Sequence, residues 1–151
     1  MTREDGLAIL RTMTDWIFQA DHLVDDEVAE NPRDWWNTPH HRDKITIGDR
    51  VWIQVSGRHS PGLHYVATVV SDVYESTECM DPERPGFGRW RTDVRFEYRI
   101  DPPLPRARLL NDPFLGSFKP FRGFQASNKP VPDAIAARLA EIADVTPLEK
   151  R

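Results

Sequence analysis

Hydrophobic and polar positions alternate most cleanly in "GDRVWIQVSG" (Gly48–Gly57), where Val51, Ile53 and Val55 fall on one face and Trp52 and Gln54 on the other. A period of two predicts a strand, because successive side chains of a strand point to opposite sides. "DWIFQA" (Asp15–Ala20) predicts an earlier strand from its β-favouring Trp16, Ile17 and Phe18. After a loop around Ser60, Pro61 and Gly62, "LHYVATVVSDVY" predicts a third. "RWRTDVRFEYRI" (Arg89–Ile100) sets Trp90, Thr92, Val94, Phe96, Tyr98 and Ile100 against a row dominated by arginine, the pattern of one buried and one wet face.

Helical spacing is confined to the ends. "GLAILRTM" is short and helix-compatible, and in "DAIAARLAEIADV", starting at Asp133, Ile135, Leu139 and Ile142 fall at i, i+4 and i+7, one face to pack on the body. "CMDPERPGFG" is a turn-rich loop, and "DPPLPRARLLNDPF" is too broken by proline to predict a long strand. Strands in the middle with helices near both ends give an α+β class built on a small, strongly bent sheet or barrel. No repeat or interdomain linker divides the chain, so residues 1–151 are expected to be a single domain with its core at about 15–144.

Composition changes this picture little: 39% hydrophobic and 29% charged residues are ordinary for a soluble globular protein. No stretch has the roughly 20 apolar residues of a membrane span. The start "MTREDGLAIL" lacks the basic and apolar regions of a signal peptide, so a cytoplasmic location and no membrane partner are expected. The net charge of −4 hides an uneven distribution: residues 1–40 hold three basic and nine acidic side chains, residues 84–130 ten basic and four acidic. Arg89, Arg91, Arg95, Arg122 and Lys129 belong to that basic segment, which could offer a local positive surface to phosphates or be a plain solvated face.

Catalytic and metal signatures are few. The sequence has no Gly-rich phosphate loop, no H-E-x-x-H and no G-x-S-x-G elbow, and the spacing of its five histidines places no two on one helix face. Cys79 is the only cysteine, which excludes a disulfide framework and a multi-cysteine zinc site, and no base partner lies near it in sequence. No catalytic residue, metal or cofactor is expected. What does stand out is "RDWWNTPHHRD" (Arg33–Asp43), in which two tryptophans sit in a polar stretch with no apolar period around them.

"ITIGDRVWIQVSGRHSPGLHYVATVVSDVY" resembles the centre of an EVE domain, with its GD-R-V turn, a strand ending in a small polar residue and Gly, and a Gly-led strand of small and β-branched residues. "DWIFQA" resembles that family's opening strand, "WWNTPHH" lies where the family carries a Trp and a polar loop, and "GFQASNKPVPDAIAARL" resembles its closing segment. "WNTPHH" is also similar to YTH readers, relatives whose Trp-led loop forms a wall of an aromatic cage. The resemblance implies a PUA-like, EVE-type β-pseudobarrel with peripheral helices, and a pocket for a modified nucleobase.

In such a pocket, aromatic faces replace the stacking that an extruded base loses, roughly 1–3 kcal/mol per base. Trp36 is the expected first wall, with Trp35 its rival, since adjacent residues of an extended segment point in opposite directions and one of the two should be core. Trp16 and Trp90 are candidates for the second wall, and Trp52 shares an outer strand face with Gln54. Asn37, Ser56 with Gly57, Gln125, Ser127 and Asn128 offer the donors and acceptors that would read a base edge. Ser127 and Asn128 could equally shape the approach to the last helix.

The expected function is a non-enzymatic reader of a modified base in DNA or RNA, with a separate nuclease or other effector as a partner. Two other classes stay open. One is an amidohydrolase acting on modified nucleosides, as in the related ASCH group, although no Lys, Glu and Thr or Tyr set has suggestive spacing. The other is an assembly or regulatory domain without a ligand, in which Trp35 and Trp36 form a protein interface.

Overall fold

The computed structural model of the chain describes residues 13–21, 23, 25–57, 60–78, 83–84, 86–122 and 128–148. "GLAILRTM" up to Thr12, Cys79, Gln125 and Ser127 lie outside them. The elements run β1 (Asp15–Ala20), α1 (Asp25–Glu30), β2 (Arg33–Asn37), β3 (Arg50–Val55), β4 (Gly62–Val69), β5 (Tyr74–Glu75), β6 (Trp90–Pro105), α2 (Arg106–Asn111), two 3₁₀ turns (Leu115–Ser117 and Lys119–Arg122), β7 (Asn128–Val131), α3 (Asp133–Ile142) and β8 (Val145–Pro147). One mixed sheet of order β2-β6-β4-β3-β1-β7, with β5 and β8 also on β6, curls into a half-barrel carrying three helices. β1 and β3 run parallel at its centre, with Asp15 opposite Arg50 and Ala20 opposite Val55.

Both sheet faces are covered. Inside the curl, Trp16, Phe18, Trp36, Val51, Ile53, Tyr65 and Phe96 form one cluster, which Val28 of α1 joins; Ile17, Trp52, Leu109, Leu115, Phe121, Ile135 and Leu139 form a second, where α2, α3 and the 3₁₀ turns pack on the other face. Trp52 and Gln54, expected on an outer face, are therefore buried, each 2% exposed. The period of two gave the strand but could not reveal the second layer, whose residues lie far along the chain.

One further expectation, a strand end at the prolines, is corrected, and two segments take structure that no local pattern announces. "RDWWN" is a strand, not a loop, because β6 supplies its hydrogen-bonding partner, with Trp36 opposite Thr92. "DPPLP" continues β6 to Pro105. Its prolines are tolerated because the register with β4 jumps from Arg99 to Leu104, so Pro102 and Pro103 sit where the β4 ladder asks for no amide donor. The polar run after Asp21 contains a short helix, α1, held by one buried apolar residue, Val28.

Two glycines permit the close approaches that shape the curl. A Cβ at Gly62, at φ +149°, would stand 2.1 Å from the Leu104 carbonyl oxygen, and one at Gly57 would stand 2.2 Å from that of Asp21. The GD-R-V element has its own structural explanation. Asp49, 2% exposed, accepts the Trp16 indole N–H at 2.9 Å and the backbone N–H of Thr46 and Thr14 at 3.0 and 3.1 Å, tying the starts of β1 and β3 together.

Candidate functional site

Several candidate residues converge where β1 ends. The Trp36 indole N–H donates to the Gln19 carbonyl at 3.0 Å, and Gln19 Nε2 donates to Ser56 Oγ at 3.2 Å. The Ser56 backbone N–H donates to the Ala20 carbonyl at 2.9 Å, and Gly57 closes against Asp21. Asn128 pairs with Phe18 in the antiparallel register of β1 and β7, so their side chains share a face. The Phe18 ring lies 6.2 Å from that of Trp36, which lies 6.0 Å from Phe96, which stacks on Tyr65 at 5.2 Å. Trp36, Ser56 and Gly57 thus meet at the end of β1, and Asn128 stands opposite Phe18, two residues before that end.

The polar groups of this end are incompletely paired. Asn128 is 1% exposed, and among the described residues neither its Oδ1 nor its Nδ2 has a hydrogen-bond partner; Gln19 Oε1 is also buried without one. An unpaired buried amide costs stability, so one in a native fold calls for an explanation. Helix capping is not that explanation, because Asn128 lies in β7 and the residue at the start of α3 is Pro132, with no side-chain cap. The Tyr65 hydroxyl donates to Asp25 at the start of α1, and burial, reinforced by that carboxylate, pushes its pKa well up. A cleft of ≈ 500 Å³ between α1 and β2 reaches this cluster at Phe96, with Leu23 and Val28 beside it and Glu27, Glu30 and Asp34 on its rim.

Other candidates lie elsewhere. Trp36 is only 8% exposed, whereas Trp35 is half-buried, so the exposures expected for the pair are reversed. Pairing with β6 turns Trp36 into the inner cluster, and Trp35 packs edge-on to Phe87 with the Arg91 guanidinium 4.1 Å above its ring. Asn37 accepts the Gly88 N–H at 3.0 Å, and Trp90 lies half-buried under Arg42 at 4.1 Å, so both belong to that corner rather than to the end of β1. Trp16 is 1% exposed and stands at the opposite end of β1, about 13 Å away at the rise of a strand.

The basic residues do not form one row. Arg91, expected on a wet face, is 6% exposed, because its Nε donates to the Gly88 carbonyl at 2.6 Å and its guanidinium is folded under Trp35. Arg89 pairs with Glu75 at 2.6 Å in the open. Arg95 is exposed on β6. Arg122, exposed at the end of the second 3₁₀ turn, donates to the Gly116 carbonyl, and Lys129 of β7 borders a second cleft. His41, at φ 60°, lies with its ring 5.4 Å from that of Trp16. Its pKa is lowered first by burial, then by Lys44, Lys129 and His40, against Asp43. Among the described residues, no group of three or more His, Cys, Asp or Glu could hold a metal ion, and no helix is long and apolar enough to cross a membrane.

Gln19, Phe18, Phe96, Tyr65 and Asp25 join the site without a signal in the sequence. Their contacts span long separations, 17 residues for Trp36 to Gln19 and 40 for Tyr65 to Asp25, and no local pattern encodes them.

A mixed sheet curled into a half-barrel, with helices packed against it and an aromatic cluster inside the curl, fits the PUA-like β-pseudobarrel class. Within it the chain belongs to the EVE domain family, whose model matches residues 14–142. No curated protein is similar to the chain in sequence at a significant level. Among solved structures, a hypothetical protein from Leishmania major superimposes with a TM-score of 0.71 at 21% identity, over 86% of this chain and 94% of that one. Human THYN1, in complex with DNA containing 5-methylcytosine, gives a TM-score of 0.68 at 13% identity, over 85% and 96%. The YTH domain of Zygosaccharomyces rouxii MRB1, in complex with N6-methyladenosine RNA, gives 0.52 at 13%, over 86% of each.

Proposed function

We propose that the protein is a non-enzymatic reader of a methylated nucleobase in DNA or RNA, and that the base docks at the end of β1. The observation that carries this reading is the Asn128 amide: a buried donor and acceptor, both without a partner among the described residues, on the face of Phe18, whose ring lies 6.2 Å from that of Trp36. A base edge presents the complementary acceptor and donor, and its ring or methyl group gains contact with aromatic surface. Ser56 and Gly57 hold the strand end that Trp36 and Gln19 also share. Gln125 and Ser127, expected to belong with Asn128, lie outside the described residues. Membership of the EVE family supports the reading, as do the methylated nucleic acids bound by THYN1 and by the MRB1 YTH domain.

The carboxylate rim of the cleft at Phe96 favours this division of labour. Glu27, Glu30 and Asp34 repel a phosphate but leave an uncharged base free to approach. A panel of modified and plain nucleosides tests the proposal: saturable binding of a methylated nucleoside without turnover is the expected result. Turnover makes the protein a hydrolase, and silence across the panel makes it an assembly domain.

A further inference from the structure

Beside β7, at the edge of the sheet, lies a second cleft, of ≈ 720 Å³, lined by Lys119, Lys129, Phe118, Pro120, Pro130 and His41 among others. Neither lysine has an ion-pair partner among the described residues, unlike Arg89, Arg33 and Arg138, which are paired to Glu75, Asp93 and Asp112. Among the described residues no carboxylate lines the cleft, in contrast to the acidic rim near Phe96. Its apolar part is built firmly. Phe118 packs edge-on to the fully buried Phe121 at 5.1 Å, and the Pro120 carbonyl accepts Gln54 Nε2 at 3.1 Å. Two ammonium groups beside an aromatic ring and two proline rings form a surface complementary to an anion attached to a flat ring.

Its position is as informative as its chemistry. Asn128 and Lys129 are consecutive residues of β7, an edge strand of the sheet, and their side chains leave opposite faces of it. Asn128 belongs with Phe18 inside the curl; Lys129 lies opposite Ile17, on the other face. A strand that places a base beside Asn128 can carry its next phosphate round this edge to Lys129.

We infer that this cleft binds the sugar–phosphate backbone of the same nucleic-acid strand, with Lys119 and Lys129 neutralising phosphates and Phe118 and the prolines taking the adjoining nucleoside. This rests on the reading of the protein as a nucleic-acid reader, but not on which base occupies the end of β1. The cleft supplies affinity without base identity, and the end of β1 supplies identity.

The test uses a short unmodified single-stranded oligonucleotide, titrated at several salt concentrations against the full chain and against Lys119→Gln, Lys129→Gln and the double variant, each checked by thermal unfolding. Each lysine that meets a phosphate contributes about 0.7 to the slope of log K against log salt for a single strand, so the double variant should flatten it by about 1.4. Binding of a free methylated nucleoside, which has no phosphate, should be unchanged in all three. Should Lys129→Gln fail to fold, Lys119→Gln, at an exposed turn, decides the matter alone. Unaltered slopes overturn the inference, and so does an equal loss of nucleoside binding, which would make the lysines part of the base site. A flattened slope in a protein that binds no nucleoside keeps the cleft and removes the base-reading proposal instead.

Discussion

Replacing Asn128 by leucine should make the protein more stable and less able to bind. Asn128 is 1% exposed, lies in an extended strand and forms no side-chain hydrogen bond among the described residues, so leucine, of similar shape, loses no partner there. A buried polar group without a partner costs about 1–3 kcal/mol relative to an apolar one, and both the oxygen and the nitrogen of this amide are unpaired. A gain of about 2 kcal/mol follows once some strain from the branched side chain is allowed for. For a domain of this size each kcal/mol moves Tm by roughly 2–4 °C, so the midpoint should rise by about 4–8 °C. Binding of a methylated nucleoside should fall at least about tenfold, the cost of losing one base-edge contact. Differential scanning calorimetry and nucleoside titration on the same preparations read both effects, with Asn128→Asp as a control that buries a carboxylate and destabilises. A Tm that falls in Asn128→Leu, or binding that survives it, refutes the reasoning, because the amide would then be a structural residue.

The remaining predictions follow from packing and electrostatics. Trp36→Ala, which empties a place between Phe18 and Phe96, should cost about 3–5 kcal/mol in chemical denaturation, whereas Trp35→Ala, which loses an edge-on ring contact and a guanidinium, should cost about 1–2. Equal costs would place Trp35 in the core as well. Asp112 has its carboxyl pKa held below the usual range first by the Leu115 N–H and then by Arg138, with the Phe114 N–H adding to both. Because the folded value is the lower one, its stabilising effect is complete above the ordinary carboxylate range and disappears as pH falls through the folded value. The Tm difference between the parent and Asp112→Asn should therefore be present at neutral pH and shrink on acidification; a constant difference across the acid limb would remove that linkage.

How far the sequence could be read depended on the range of the interactions involved. β1 was legible to the residue, Asp15–Ala20, and α3 from Asp133, because their signals lie within the segment itself. β2 was not, because "RDWWN" has no internal period and becomes a strand only by pairing with Val94, Asp93 and Thr92, about 60 residues away. Asn128, Ser56 and Gly57 were legible as candidates through the family pattern, but the role of each tryptophan was not. Whether Trp36 or Trp35 faces inward depends on the register with β6, and one step of register exchanges them. The burial of Arg91 was hidden for a similar reason, since a turn at Gly86 and Gly88 folds the chain over its guanidinium.

The central claim is that a methylated base docks where β1 ends, and the indole N–H resonances of the tryptophans address it most directly. Trp36 donates to the Gln19 carbonyl at that end, while Trp16 donates to Asp49 and Trp52 to Asp15 at the other. Titration with a methylated nucleoside, followed by two-dimensional NMR, should move the Trp36 indole signal saturably and leave those of Trp16 and Trp52 in place. A Trp36 signal that stays still while binding saturates, or equal shifts at Trp16 and Trp52, would contradict the account.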